Sequence, residues 1–155
     1  MGKFDFSSRQ VLQLIVAGTL VLSGCSSTGN GSEHIDSFAI DYTIDNGGTV
    51  HVVEKIDYDF GGEGGKHGID RFLASRFANA DGTERVYRYS NVSVTSPSGA
   101  SALFTTTLSN ALQIRIGNKN PTVGGKQQYV VKYDISGALN NPVLDDGTSV
   151  DEFYW

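Results

Sequence analysis

Few side chains in this 155-residue sequence could do chemistry, and their spacing rules out most of the chemistry open to their types. His67 stands three positions before Asp70, which would allow an imidazole oriented by a carboxylate. A catalytic assignment also needs a nucleophile and a concave pocket. No Gly-x-Ser-x-Gly elbow occurs, and the single cysteine, Cys25, lies near the N-terminus. His34, His51 and His67 are too scattered to read as a zinc ligand set. Asp145, Asp146, Asp151 and Glu152 could ligate calcium, but they lack the alternating ligand spacing of an EF-hand loop. Gly61-Gly62-Glu63-Gly64-Gly65-Lys66 fails as a phosphate loop, because Phe60 stands where glycine is required and His67 where Ser or Thr is required. The same run misses the dinucleotide fingerprint at His67. The expectation is a chain with no catalytic residue, no bound metal and no cofactor.

Cys25 carries the other chemistry. An apolar run from Val11 to Leu22 follows a start bearing Lys3 and Arg9 and ends in small residues, the three-part layout of an export signal. At about 1.5 Å per residue the run reaches about 18 Å, short of the roughly 30 Å of bilayer hydrocarbon. Leu22-Ser23-Gly24-Cys25 resembles the lipobox of bacterial lipoproteins, in which the thiol is acylated before cleavage on its amino side. That resemblance implies that residues 1–24 are removed and that Cys25, carrying acyl chains of the palmitate class, becomes the first residue of the mature protein. Two or three chains on one terminus hold a membrane stably where one does so marginally. An ordinary signal peptide that happens to contain a cysteine is the alternative.

The elements that would position these groups follow. Residues 25–34 are rich in Ser, Gly and Asn and read as a flexible tether spanning roughly 15 to 18 Å. The chain has a net charge of −5, and loss of the signal segment leaves it slightly more acidic. Acidic surfaces are repelled by phosphate backbones and anionic headgroups, so nucleic acid is excluded as a partner. With Cys25 in the anchor, the folded part has no thiol to cross-link it.

From residue 35 to 155 the hydrophobic pattern has period two. Phe38, Ile40, Tyr42 and Ile44 share one face, and the Asn46-Gly47 pair predicts a hairpin with a type I′ turn. Val50, Val52, Ile56, Tyr58 and Phe60 share the inward face of the return strand, and Glu54 falls among them. A carboxylate there costs several kcal/mol unless paired. Arg71 is the favoured partner because its planar fork suits a carboxylate; a bulge turning Glu54 to water is the alternative. Residues 72–77 suggest a short helical turn. The apolar parity flips near Ser90-Asn91, which predicts a bulge or a strand changing sheets. Leu112, Ile114 and Ile116, and then Tyr129, Val131, Tyr133 and Ile135, complete the strand signals. About seven to eight short strands with frequent turns predict an antiparallel β-sandwich, with a closed barrel as the alternative.

Several of these segments, in this order, resemble a family. Gly48-Thr49-Val50, Val53-Glu54, Tyr58-Asp59-Phe60, His67-Gly68-Ile69-Asp70-Arg71, Leu112 to Gly117, Tyr129 to Tyr133 and Asp151 to Trp155 are similar to the predicted bacterial membrane proteins called DUF2207. The resemblance implies an exported β domain followed by membrane-spanning helices, with no established activity. Glu54, His67, Asp70 and Arg71 form the candidate cluster. Three functions stay open: a non-enzymatic module that binds an envelope protein through loops or an edge strand, the outer domain of a larger membrane protein, and an envelope hydrolase. The hydrolase would use His67 or carboxylates from residues 63–70 or 145–152.

Overall fold

In the computed structural model the described residues are 31–62, 64–79, 82–141 and 146–153. The signal segment, Cys25, most of the tether, Glu63, Asp145, Tyr154 and Trp155 lie outside them. The strands in chain order are β1 (His34–Ile44), β2 (Val50–Asp59), β3 (Gly68–Ala74), β4 (Arg76–Ala78), β5 (Glu84–Val86), β6 (Arg88–Thr95), β7 (Phe104–Leu108), β8 (Ala111–Gly117), β9 (Lys126–Ser136), β10 (Leu139–Asn140) and β11 (Glu152–Phe153). No described segment is helical. Seven of these strands have five residues or more.

Two antiparallel sheets carry the core. One runs β1-β2-β9-β6 and the other β3-β8-β7. Their inward residues form one cluster: Val50, Val52, Ile56, Tyr129, Val131, Tyr133 and Ile135 from the first sheet meet Ile69, Leu73, Leu112, Ile114 and Ile116 from the second. This is sheet-on-sheet packing, in which each strand gives alternate residues to the core. It explains why the period-two pattern is strongest in β2 and β9, the central strands of the first sheet.

Local chemistry departs from the sequence reading at two places. The hairpin between β1 and β2 forms, but Gly48 is the residue with positive φ, at 80°, while Asn46 and Gly47 keep negative values. The Gly48 N–H donates to the Asp45 carbonyl, and the Asp45 carboxylate accepts from the Gly47 and Thr49 N–H groups. The turn is therefore type I with a left-handed glycine after it, selected by the Asp45 side chain rather than by an Asn-Gly pair. Residues 72–77 are not helical either. They belong to β3 and β4, which are separated by a kink at buried Ser75. The Ser75 Oγ donates to the Asn110 carbonyl and its own carbonyl accepts from the Tyr87 N–H, so the chain turns a corner there and leads through the β4-β5 hairpin into the other sheet. Phe72 and Phe77 are exposed, at 56% and 44%, and mimic a helical spacing without sharing a helix. The parity flip at Ser90-Asn91 is a bulge: the β6–β9 register shifts between Ser90 and Ser93, and Asn91 has φ 52°.

Gly68 and Gly117 face each other across β3 and β8 with φ of 141° and 134°. A Cβ on Gly68 would overlap the Ile116 carbonyl, and one on Gly117 would overlap the His67 carbonyl. Replacing either by alanine is expected to destabilise the fold by about 1–3 kcal/mol, the usual cost of a residue forced into a sparsely populated backbone region. At Gly124 an added Cβ meets nothing within 4 Å, so Gly124→Ala should stay within about 0.5 kcal/mol. Urea denaturation of the three variants checks this, and equal midpoints would sink it.

Candidate functional site

The most tightly organised polar group lies between the sheets. On β2, Glu54 sits opposite Val131 of β9 and Ile40 of β1, inside an otherwise apolar face, and is fully buried. On β3, Ile69, Arg71 and Leu73 point to the same interior because they alternate with Asp70 and Phe72. Arg71 thus reaches across from the facing sheet. Its Nε donates to Glu54 Oε2 at 2.8 Å and its Nη2 to Oε1 at 2.9 Å, a bidentate pair. Tyr133 Oη donates to Oε1 at 2.6 Å, and Arg71 Nη1 donates to the Phe72 carbonyl at 2.6 Å. The guanidinium lies 5.4 Å above the Phe38 ring, within cation–π range.

The electrostatics follow from this enclosure. Burial alone would lower the Arg71 pKa, but the Glu54 hydrogen bonds and charge outweigh it and hold the group above its usual range. Burial and then the Glu54 charge push the Tyr133 hydroxyl well above the ordinary phenol value. Tyr133 stacks edge-on against Tyr89, whose hydroxyl donates to the Ala74 carbonyl in the opposite sheet. Every polar atom of the cluster that is closed off from solvent has a partner among the described residues. Chemically, this arrangement can hold two sheets in register; it offers a substrate no open acid or base.

The other members of the candidate cluster lie elsewhere. Asp70 points outward and accepts from Arg115 Nε at 3.1 Å, so its carboxylate is engaged with a guanidinium on β8. His67 borders two cavities, about 240 and 320 Å³, at the end of the sandwich where the chain enters. The first is lined by Ser98, Thr122, Gln127 and Tyr129, the second by Asp70, Arg115 and Lys119. Among the acidic residues near the C-terminal turn, Asp146 accepts from the Thr148 N–H and Asp151 from Asn141.

Two further clusters escape a linear reading. His34, Asp36 and Asp59 place ligand atoms within 4.8 Å of one another. Lys126 Nζ already lies 2.7 Å from Asp36 and 3.7 Å from Asp59, supplying the cation. Beside them Glu33 accepts from Lys66 and Tyr58, which fastens the start of the domain; burial and then Glu33 raise the Tyr58 pKa to about 12. On the outer face of the first sheet, His51 Nδ1 lies 2.6 Å from Asp134, and Asn91 Nδ2 donates to the same carboxylate at 2.6 Å. Asp45 stands 3.6 Å from His51 Nε2. Asn91 reaches this position because the bulge turns it, and the parity flip was the only sequence signal of that. The Asp134 hydrogen bond raises the His51 pKa, while Asn91 and then His51 lower that of Asp134.

A family model for the N-terminal domain of a predicted membrane protein, DUF2207, matches residues 34–155. No curated protein and no solved structure matches the chain. Among the described residues, no helix is long and apolar enough to cross a membrane.

Arg71→Met leaves a carboxylate buried without its cation and should cost about 3–5 kcal/mol, whereas Glu54→Leu combined with Arg71→Met should recover most of that loss. Tyr133→Phe, which removes one bond to a charged group, should cost about 1.5–3 kcal/mol. Equilibrium unfolding decides it, and a double variant no more stable than Arg71→Met contradicts the pairing energetics. For His51, the raised folded pKa means that its contribution is complete below the unfolded value and is lost as pH rises through the folded one. For Asp134 the lowered pKa means a contribution present above the unfolded value and lost as pH falls through the folded one. The pair is thus intact between the depressed Asp134 value and the raised His51 value. An NMR titration should place the His51 midpoint above the free value of about 6.5, and Asp134→Asn should lower it. An unchanged midpoint removes the interaction.

Proposed function

The chain belongs to the DUF2207 family of predicted membrane proteins, whose N-terminal domain it carries over residues 34–155, and on that premise we propose that its strands form a non-enzymatic docking module held by the Cys25 lipid at the extracytoplasmic face of the cell membrane. The observation that carries this reading is the outer edge of β7. The Gly117 N–H donates to the Leu103 carbonyl and the Ser109 N–H to the Ala111 carbonyl. In an antiparallel ladder this fixes Thr105 and Thr107 as the residues bonded to β8. The N–H and C=O groups of Phe104, Thr106 and Leu108 therefore point away from the sheet, and β7 pairs with β8 alone among the described residues. Leu103 and Leu108 are 64% and 66% exposed beside them. Such an edge accepts an added strand, with backbone bonds giving affinity and alternate side chains giving selectivity.

The polar chemistry supports the non-enzymatic class. Arg71 and Tyr133 occupy the Glu54 carboxylate, and Arg115 engages Asp70. A hydrolase working through His67 is the competing class. A second membrane reading, the outer domain of a longer chain with spanning helices, is favoured by the family description as an N-terminal domain.

Amide exchange read peptide by peptide on the full chain should show β7 slowed about tenfold in its own membranes relative to dilute detergent. The β1 edge should be unchanged. Cys25→Ala should release the chain from the membrane fraction. A β7 equally exchangeable in both settings overturns the docking reading, and a Cys25→Ala chain that stays in the membrane moves the anchor to the longer-chain reading.

A further inference from the structure

We propose that the occupant of the β7 edge is the same strand of a second copy of this chain, an inference that rests on the docking reading above and names its partner. Native sheets protect an exposed edge with charge, proline or a bulge. The other edges of the two sheets are protected in these ways. β1 carries Asp36 and Asp41 and a register shift between Ile35 and Ser37. β6 has the Asn91 bulge. β3 carries Asp70 and Arg71 and turns away at Ser75. β7 has none of these: its sequence is Phe-Thr-Thr-Thr-Leu, unbulged against β8. From Tyr89 to Ile114 no side chain is charged, in a chain where 19% of residues are. Two acidic copies repel each other least along this strip.

The strand is also complementary to itself. Antiparallel pairing about a two-fold axis at Thr106 sets Thr106 opposite its own copy and Phe104 opposite the second copy's Leu108. The residues with outward backbone groups are 104, 106 and 108, so in this register they meet one another and all twelve groups, six from each copy, are satisfied. Directly opposed residues share a face, and Phe104 and Leu108 lie on the side of Ile116 and Leu112, their buried partners in β8. The Phe104–Leu108 pairs would continue the core across the axis. Leu108 also lines a cavity of about 360 Å³ with Tyr87, Tyr89, Leu112 and the two arginines Arg76 and Arg88, and in this register the second copy's Phe104 would lie at its Leu108 side. Three strands from each copy become one six-stranded sheet, with both unprotected edges removed.

Cysteine trapping on the full chain in detergent tests the register, since Cys25 is the sole native thiol. Opposed Cα atoms of a bonded antiparallel pair lie about 5.5 Å apart, inside the range a disulfide spans. Thr106→Cys should therefore form a disulfide between the two substituted positions under mild oxidation. Lys55→Cys, on the outer face of the other sheet, should not. Sedimentation in detergent at high chain concentration should give a dimer of the unmodified chain that dissociates on dilution, and Leu108→Lys should weaken it at least about tenfold, or about 1.4 kcal/mol, with an unchanged circular dichroism spectrum. A monomeric chain with Thr106→Cys left unlinked overturns the inference. If β7 amides are nevertheless slowed in membranes, a different protein covers the edge and the docking reading stands; if they are not slowed, both fall.

Discussion

The structure depends on one charged contact that joins its two sheets. The hydrophobic driving force is non-directional, whereas the Arg71 fork and the Glu54 carboxylate fit in one arrangement. Burial makes that arrangement obligatory. Glu54 has no access to water, so any displacement that breaks the pair strands a charge in the core. The net contribution of such a pair over an apolar replacement is small; what its geometry specifies is where Arg71 of β3 stands relative to Glu54 of β2. Tyr133 and Phe38 complete the enclosure from the first sheet, and the Tyr89 hydroxyl adds a second tie between sheets through the Ala74 carbonyl.

Around this tie, the remaining polar groups divide by location. At the entry end, Glu33, Asp36, Asp59, Lys66 and Lys126 form a girdle of short ion pairs that fastens the first residues of the domain. The Gly31 carbonyl also accepts from the Gly62 N–H there, and a Cβ on Gly61 would collide with it. On the outer face of the first sheet, His51, Asp134 and Asn91 link β2, β9 and β6. These contacts are exposed and individually weak. On the second sheet Phe72 is exposed, and β7 pairs with β8 alone among the described residues. The tie closes the interior of the N-terminal β domain that the family description names.

The sequence by itself determined the strands. Period two in β2 and β9 is a direct consequence of the pleat, so the inward set Val50, Val52, Glu54 and Ile56 was legible, as was the anomaly of Glu54 within it. The bulge at Asn91 was legible as a parity flip, and the family as an ordered set of short segments. The turn at Asp45 was misread in type because a side chain, not the central dipeptide, organises it. Phe72 to Phe77 was misread because aromatic spacing is ambiguous over a single turn, and the arbiter is a long-range bond from Ser75 to Asn110. Only the tertiary structure decided that Asp70 engages Arg115 instead of His67, that His34 joins Asp36, Asp59 and Lys126, and that β7 is left at an edge. The physical reason is that alternation reports which face a side chain takes, a property of its own strand. Which strands become neighbours, and which edge stays open, is set by pairing between residues far apart in the chain.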